Sequence, residues 1–172
     1  MANADVPNGF KPFGRLLRTN RYIAAATIYP GDAVTADVGG SSTSEFKSRV
    51  IAGSDTGALL GVALNYATVG QSVLVADDPN QMFVGQADEA EIATNADLNY
   101  NANILSTSGN TTFKASRMEI DSSDLANTAT HQLKLLGLAK RQDGKNAYGA
   151  FAEVIFIINN HLYKGGTGTQ GV

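Results

Sequence analysis

QSVLVADDPNQMFVGQ, residues 71–86, is the plainest piece of architecture in the chain. Ser72-Val73-Leu74-Val75-Ala76 is an apolar run rich in β-branched residues and too short for a helix. Asp77-Asp78-Pro79-Asn80 then carries turn chemistry. Pro79 presets φ at about −65°, the Asp side chains bond nearby backbone groups, and Asn tolerates the left-handed region. Gln81-Met82-Phe83-Val84 returns. The spacing predicts a β-hairpin whose first strand, apolar on both faces, lies inside a sheet or barrel with something covering each side.

The same rhythm of short apolar runs and turns continues outward. Upstream, residues 22–27, 45–52 and 58–64 read as strands. Tyr29-Pro30-Gly31-Asp32 is a turn between them, residues 38–44 a loop tip, and Gly61 suits a bulge or a close backbone approach. Downstream, residues 112–120 read as a strand ending in a turn at Asp121-Ser122-Ser123-Asp124, while residues 98–112 make a long irregular excursion with one short strand. Residues 131–139 allow helix or strand by pattern. Gly137, the turn at 141–146 and the apolar run 151–158 favour a second hairpin. The 151–158 run belongs in the middle of a sheet, because so apolar an edge recruits other chains indiscriminately. The one helix candidate begins at Asp88, with Glu91 completing a capping box. The expected fold is all-β: a compact β-barrel or sandwich-like domain with long loops and at most one short helix.

Three segments are expected. Residues 1–20 form an extended N-terminal arm, residues 21–163 a single β-rich domain, and residues 164–172 a flexible Gly-rich C-terminal tail. In the arm, Pro7, Gly9, Pro12 and Gly14 break any periodic pattern, while Phe10, Phe13, Leu16 and Leu17 alternate with Lys11, Arg15 and Arg18. Such a segment either docks on another surface or packs on its own domain. The tail holds four glycines in eight residues and has no core-forming content.

A chain of 172 residues can bury a sizeable core without staples, and with no cysteine it has neither disulfides nor thiolate chemistry. The N-terminus lacks the basic and apolar regions of a leader peptide, and no apolar run approaches the ~20 residues of a membrane helix. A soluble protein is expected. The net charge of −3 is unevenly spread: residues 50–113 carry seven acidic side chains and no Lys or Arg. That block reads as a solvated acidic face, or as a surface that pairs with basic arms of a neighbouring copy. Nucleic acid is not an expected partner, since phosphate contacts require clustered cations.

Chemistry-bearing motifs are missing. His131 and His161, the only histidines, lie on separate segments with no nucleophile motif nearby, and no phosphate loop, zinc-protease helix or nucleophile elbow occurs. Asp77 and Asp78 are better turn-formers than a glycosidase pair. Asp88, Glu89 and Glu91 lack calcium-loop spacing. No catalytic residue, cofactor or metal is expected, and His161 reads as a hydrogen-bonding residue at a strand end.

The order VLVADDP, an F-V-Q return, MEIDSS (residues 118–123), a leucine-rich stretch at 129–138 and an apolar strand closing in INNH (residues 158–161) resembles the capsid cement, or decoration, proteins of tailed bacteriophages. The resemblance spans roughly residues 29–161. It implies a structural virion protein on the outer surface of the head, assembled as a homotrimer and clamping neighbouring subunits of the major capsid protein against the pressure of packaged DNA. Phe10, Phe13, Arg15, Leu16 and Arg18 are then the expected contact residues. The rival expectation is an adhesin-like module on the virion surface that recognises host glycans.

Overall fold

The computed structural model describes residues 3–39, 48–90, 92–141, 144–166 and 168–171. Its strands are β1 (Lys11–Pro12), β2 (Thr19–Ala24), β3 (Ala33–Ala36), β4 (Arg49–Ala52), β5 (Gly61–Ala63), β6 (Ser72–Ala76), β7 (Met82–Gln86), β8 (Asn101–Leu105), β9 (Glu119–Ala126), β10 (Leu133–Leu138) and β11 (Glu153–Ile158). Single turns of 3-10 helix cover Asp97–Asn99 and Leu162–Lys164. The architecture is all-β, as expected. β2, β4, β3, β5 and β6 close into a barrel, and a six-stranded sheet runs β1-β7-β11-β10-β8-β9.

The first hairpin does not form. β6 is flanked in the barrel by β2 and β5, while β7 lies in the sheet between β1 and β11. Both edges of β6 are taken, so Asp77-Asp78-Pro79-Asn80 carries the chain from barrel to sheet. Turn residues reverse a chain without specifying its next hydrogen-bonding partner.

The expectation that β6 is covered on both sides holds, and its cause is a sharing of cores. Val73 and Val75 pack in the barrel interior with Tyr22, Ala24, Val34, Val50 and Ala63. Ala76 belongs to the larger core of the sheet, with Phe83, Ile104, Ile120, Leu135 and Phe156. On β3 and β5 the neighbours Ala33/Val34 and Val62/Ala63 divide in the same way. Successive side chains of a strand point to opposite faces, so these strands serve as a wall between two interiors. The wall is thin at Gly61, where a Cβ would strike the carbonyl oxygen of Ala76.

β10 and β11 form the second hairpin, antiparallel with a register shift between Leu135 and Gly137. β11 is central, bounded by β10 and β7. The sheet curls until Ala87, just past β7, bridges Ile120 on β9. The Asp88 N–H donates to the Ile120 carbonyl at 3.0 Å, covering part of the outer edge of β9.

Two local expectations need correction. Asp121-Ser122-Ser123-Asp124 is not a turn: β9 runs through it, because the Ser122 N–H donates to Asp88 Oδ1 at 3.1 Å and the Ser122 hydroxyl reaches the same oxygen. The turn comes earlier, at residues 111–114. Asp88 caps no helix, since its carboxylate is engaged with Ser122 and the Ala90 N–H. Glu91, most of the 38–44 loop, Glu45–Lys47 and two residues of the 141–146 turn lie outside the described residues.

Candidate functional site

The N-terminal segment is extended, and the surface it lies on is its own domain. Gly9 takes φ +65 beside Ser116, where a side chain would collide with the serine. The chain then delivers Phe10 into the sheet's core. Phe10 is 1% exposed and sits edge-on to Phe156 at 5.1 Å, over a gap left by Gly85. β1 pairs Lys11 with Val84 and Pro12 with Phe83, and the Phe13 N–H donates to the Met82 carbonyl at 2.8 Å. Gln81, 1% exposed, brackets the next turn. Its Oε1 accepts from the Leu17 N–H at 2.8 Å while its Nε2 donates to the Met82 carbonyl at 2.8 Å.

Of the five expected contact residues, Phe10 is therefore committed to the protein's own core, and Phe13 is half-buried. Arg15 is exposed and Leu16 is 44% exposed. Leu17 (49%) and Met82 (39%) add exposed apolar surface close by. Arg18 points elsewhere: its Nε donates to Asp77 Oδ1 at 2.9 Å and its Nη2 to the Asp77 carbonyl at 2.7 Å.

Asp77 organises the junction between barrel and sheet. Fully buried, it also accepts from Asn20 Nδ2 at 2.8 Å and from the Tyr22 hydroxyl at 2.6 Å. The two tyrosine hydroxyls of Tyr22 and Tyr163 lie 2.7 Å apart, and the Arg18 guanidinium stacks 5.2 Å from the Tyr163 ring. Burial alone drives the Asp77 carboxyl up, but the bonds from Asn20, Tyr22 and Arg18 outweigh it and hold it below the usual range. Burial, with the bonds to Asp77 and Tyr163, raises Tyr22. His161 accepts from the Tyr163 N–H at Nδ1, and burial followed by the charge of Lys164 lowers it to about 4. Near neutral pH this cluster holds the Asp77 carboxylate, a neutral His161 imidazole and a neutral Tyr22 phenol. It ties three chain segments together and offers no group poised for proton transfer.

The second histidine is distant in role. His131 Nδ1 lies 3.2 Å from the Asn101 carbonyl and Nε2 lies 3.5 Å from Asp124. One carboxyl does titrate near neutrality: burial, with Asp5 and Asp88 nearby, pushes Glu119 up to about 7. Gln86 links it to the N-terminal segment, donating to Glu119 at 3.2 Å and to Asp5 at 3.3 Å.

Several carboxylates of the acidic block accept hydrogen bonds from the protein's own backbone, and Asp55 and Glu89 are exposed. Asp55 takes the Ser106 N–H, Asp78 the Asn80 N–H and Asp97 the Thr94 N–H. Sequence reasoning missed the hub at Asp77 and the bracket at Gln81, since both depend on partners 55 to 64 residues away. Two isolated signals were present: an Asp directly after a buried strand, and a Gln directly before one. No metal-binding group of His, Cys, Asp and Glu occurs among the described residues. No protein-family model matches the chain, and no curated protein matches it as a relative.

Proposed function

We propose that this chain is a cement protein of tailed-phage heads, a passive clip that seats as a homotrimer on the outer surface across neighbouring major-capsid subunits. The observation that carries the reading is the surface at Leu16, Leu17 and Met82 with Arg15 alongside: apolar groups held in the open by a rigid backbone bracket. Apolar side chains beside a cation suit a protein partner, and the bracket lowers the entropy lost on docking. A clip with several such footings holds because all must release together, so modest contacts combine through effective concentration. The role is structural and no reaction is assigned to it.

The test is co-sedimentation with expanded heads stripped of the protein. Wild type is expected to pellet with heads in capsomer stoichiometry and to raise their resistance to heat. Leu16→Asp with Leu17→Asp keeps the fold and loses attachment. Equal binding by the double variant removes this surface from the mechanism, and a wild-type monomer that ignores heads ends the proposal.

A second reading, a glycan-recognising surface module, is favoured by a different observation. An open cleft of about 380 Å³ is lined by Thr27, Ser54, Ser106, Thr107, Ser108 and the buried Asp32. Burial pushes the Asp32 carboxyl up, against the Tyr29 N–H and the nearby Ser116 hydroxyl, which pull it down. Its Oδ1 has no partner in bonding geometry among the described residues. Hydroxyl groups beside a carboxylate are the donors and acceptors that a sugar ring requires. Glycan-array binding abolished by Asp32→Asn supports this reading, and an array without signal removes it.

A further inference from the structure

The C-terminal segment occupies a site whose geometry selects its sequence. After the turn at Leu162–Lys164, Gly165 and Gly166 take φ +83 and +67, a backbone path that other residues rarely follow. Residues 168–171 then lie on the domain. The floor is built from two buried asparagines. Asn159 Oδ1 accepts from the Thr169 N–H at 2.9 Å and from its hydroxyl at 3.3 Å, while Asn101 Nδ2 donates to the Thr169 carbonyl at 2.7 Å. Lys134 Nζ donates to the Gln170 carbonyl at 3.1 Å. These side chains thus satisfy a run of backbone groups much as an adjacent strand does.

Both asparagines are fixed from behind. Asn101 Nδ2 also donates to the Thr128 carbonyl at 2.7 Å, and Asn159 Nδ2 donates to the His131 carbonyl at 3.0 Å. Each asparagine is thus held by the domain as well as by the segment that fills the groove. Asn101 Oδ1 remains buried without a partner among the described residues, an acceptor left over beside the tail.

The occupant is read by shape at two positions. A Cβ on Gly168 would collide with Asn159 Nδ2 and the Ala129 carbonyl, and a Cβ on Gly171 would stand 2.6 Å from the Asn99 carbonyl. Between them the Gln170 side chain is exposed, and so is that of Thr169 apart from its hydroxyl's bond to Asn159, so the glycines are the positions read by shape in Gly-x-x-Gly. The hold consists of polar bonds and two close approaches, with no large apolar side chain among residues 168–171 to anchor it. Such a segment exchanges readily with an identical one.

We infer that this groove is a peptide-binding site specific for an extended Gly-x-x-Gly segment, and that its second occupant is the C-terminal tail of another copy of this chain. On an isolated molecule the protein's own tail fills the site. Where copies are crowded together, a neighbour's tail competes for it, and exchange links the copies without altering either domain. The site is independent of the capsid reading, because it is tested in solution without heads.

Two measurements on the 172-residue chain decide it. Gly168→Val with Gly171→Val expels the tail and vacates the groove. A labelled peptide of residues 166–172 is expected to bind this variant saturably and wild type at least tenfold more weakly, and the same peptide carrying both valines should not bind. Absence of saturable binding to a variant with wild-type circular dichroism overturns the site. The second measurement gives up the Lys134 contact and keeps both asparagines of the groove and both glycines of the tail. The chain has no cysteine, so equal amounts of Lys134→Cys and Gln170→Cys chains, mixed at high concentration and oxidised gently, can join only between molecules. Exchange predicts the mixed pair in several-fold excess over both like pairs, and a statistical distribution overturns it.

Discussion

Replacing Phe10 by Ala tests whether the N-terminal segment is part of the fold or an appendage to it. The ring is 1% exposed, edge-on to Phe156, and fills the space above Gly85, where even a Cβ would touch it. Truncating a buried Phe to Ala removes its transfer free energy and leaves a cavity, together about 3–5 kcal/mol. The backbone around Gly85 belongs to β7, a paired strand, so little collapse into the cavity is expected and the upper half of the range applies. For a chain of this size 1 kcal/mol lowers the melting temperature by about 2–4 °C, so the variant should melt roughly 8–20 °C below wild type. Urea unfolding followed by far-UV circular dichroism gives the free energy directly, with an unchanged slope if the denatured state is unaffected. Phe10→Leu restores most of the volume and should recover all but about 1–1.5 kcal/mol. A loss below about 1 kcal/mol for Phe10→Ala would refute the reasoning, because it would mean that residues 3–13 lie on the domain without contributing to its core. The same geometry makes deletion of residues 1–20 a poor test of attachment, since it strips Phe10 from the core and two residues from β2.

Asp77→Asn leaves the Arg18, Asn20 and Tyr22 donors facing an amide; a loss of about 2–4 kcal/mol is expected by urea titration at pH 7, and a loss under 0.5 would remove the hub role. The Asp77 carboxyl is held low in the folded state, so its contribution is present above the unfolded carboxyl range near 3.9 and vanishes as pH falls through the lower folded value. Wild type should therefore lose stability in strong acid more steeply than Asp77→Asn. Glu119 has the opposite sign: its folded value is raised to about 7, so its contribution is complete below the unfolded value near 4.3 and is lost as pH rises towards 7. Glu119→Gln should flatten the stability profile between pH 5 and 7.5, and an unchanged slope there would show that Glu119 is not the titrating group. Gly61→Ala forces the β5 and β6 backbones apart and should cost more than 2 kcal/mol by thermal melt, whereas Gly57→Ala, at a positive-φ position with open space around it, should cost only the backbone strain.

The strands were legible wherever a short apolar run met turn chemistry. β6, β7, β10 and β11 lie where the pattern placed them, and β11 is central because its apolar character suits no edge. Pairing was legible only when the turn was short and both strands lacked other partners, as for β10 and β11. It failed for β6, whose edges are filled by strands from 49 to 57 residues earlier and 12 to 14 residues earlier in the chain. Polar runs misled for the same reason: Asp121 to Asp124 has turn composition, yet Asp88, distant in sequence, supplies the bonds that keep it extended. The alternation of basic and apolar groups in residues 10–18 suits docking on another surface and packing on the protein's own domain equally. The structure divides it, sending Phe10 inward through a left-handed Gly9 and Arg18 onto Asp77, and leaving Arg15, Leu16 and Leu17 outside. Periodicity reports which residues prefer burial, and only the three-dimensional partner decides where.

The partition of β3, β5 and β6 between two interiors has a mechanical corollary. Neither compartment possesses a complete boundary of its own, so loosening one strips the lining from the other. Scanning calorimetry should accordingly record one endotherm whose van't Hoff and calorimetric enthalpies agree, because the two interiors give way together.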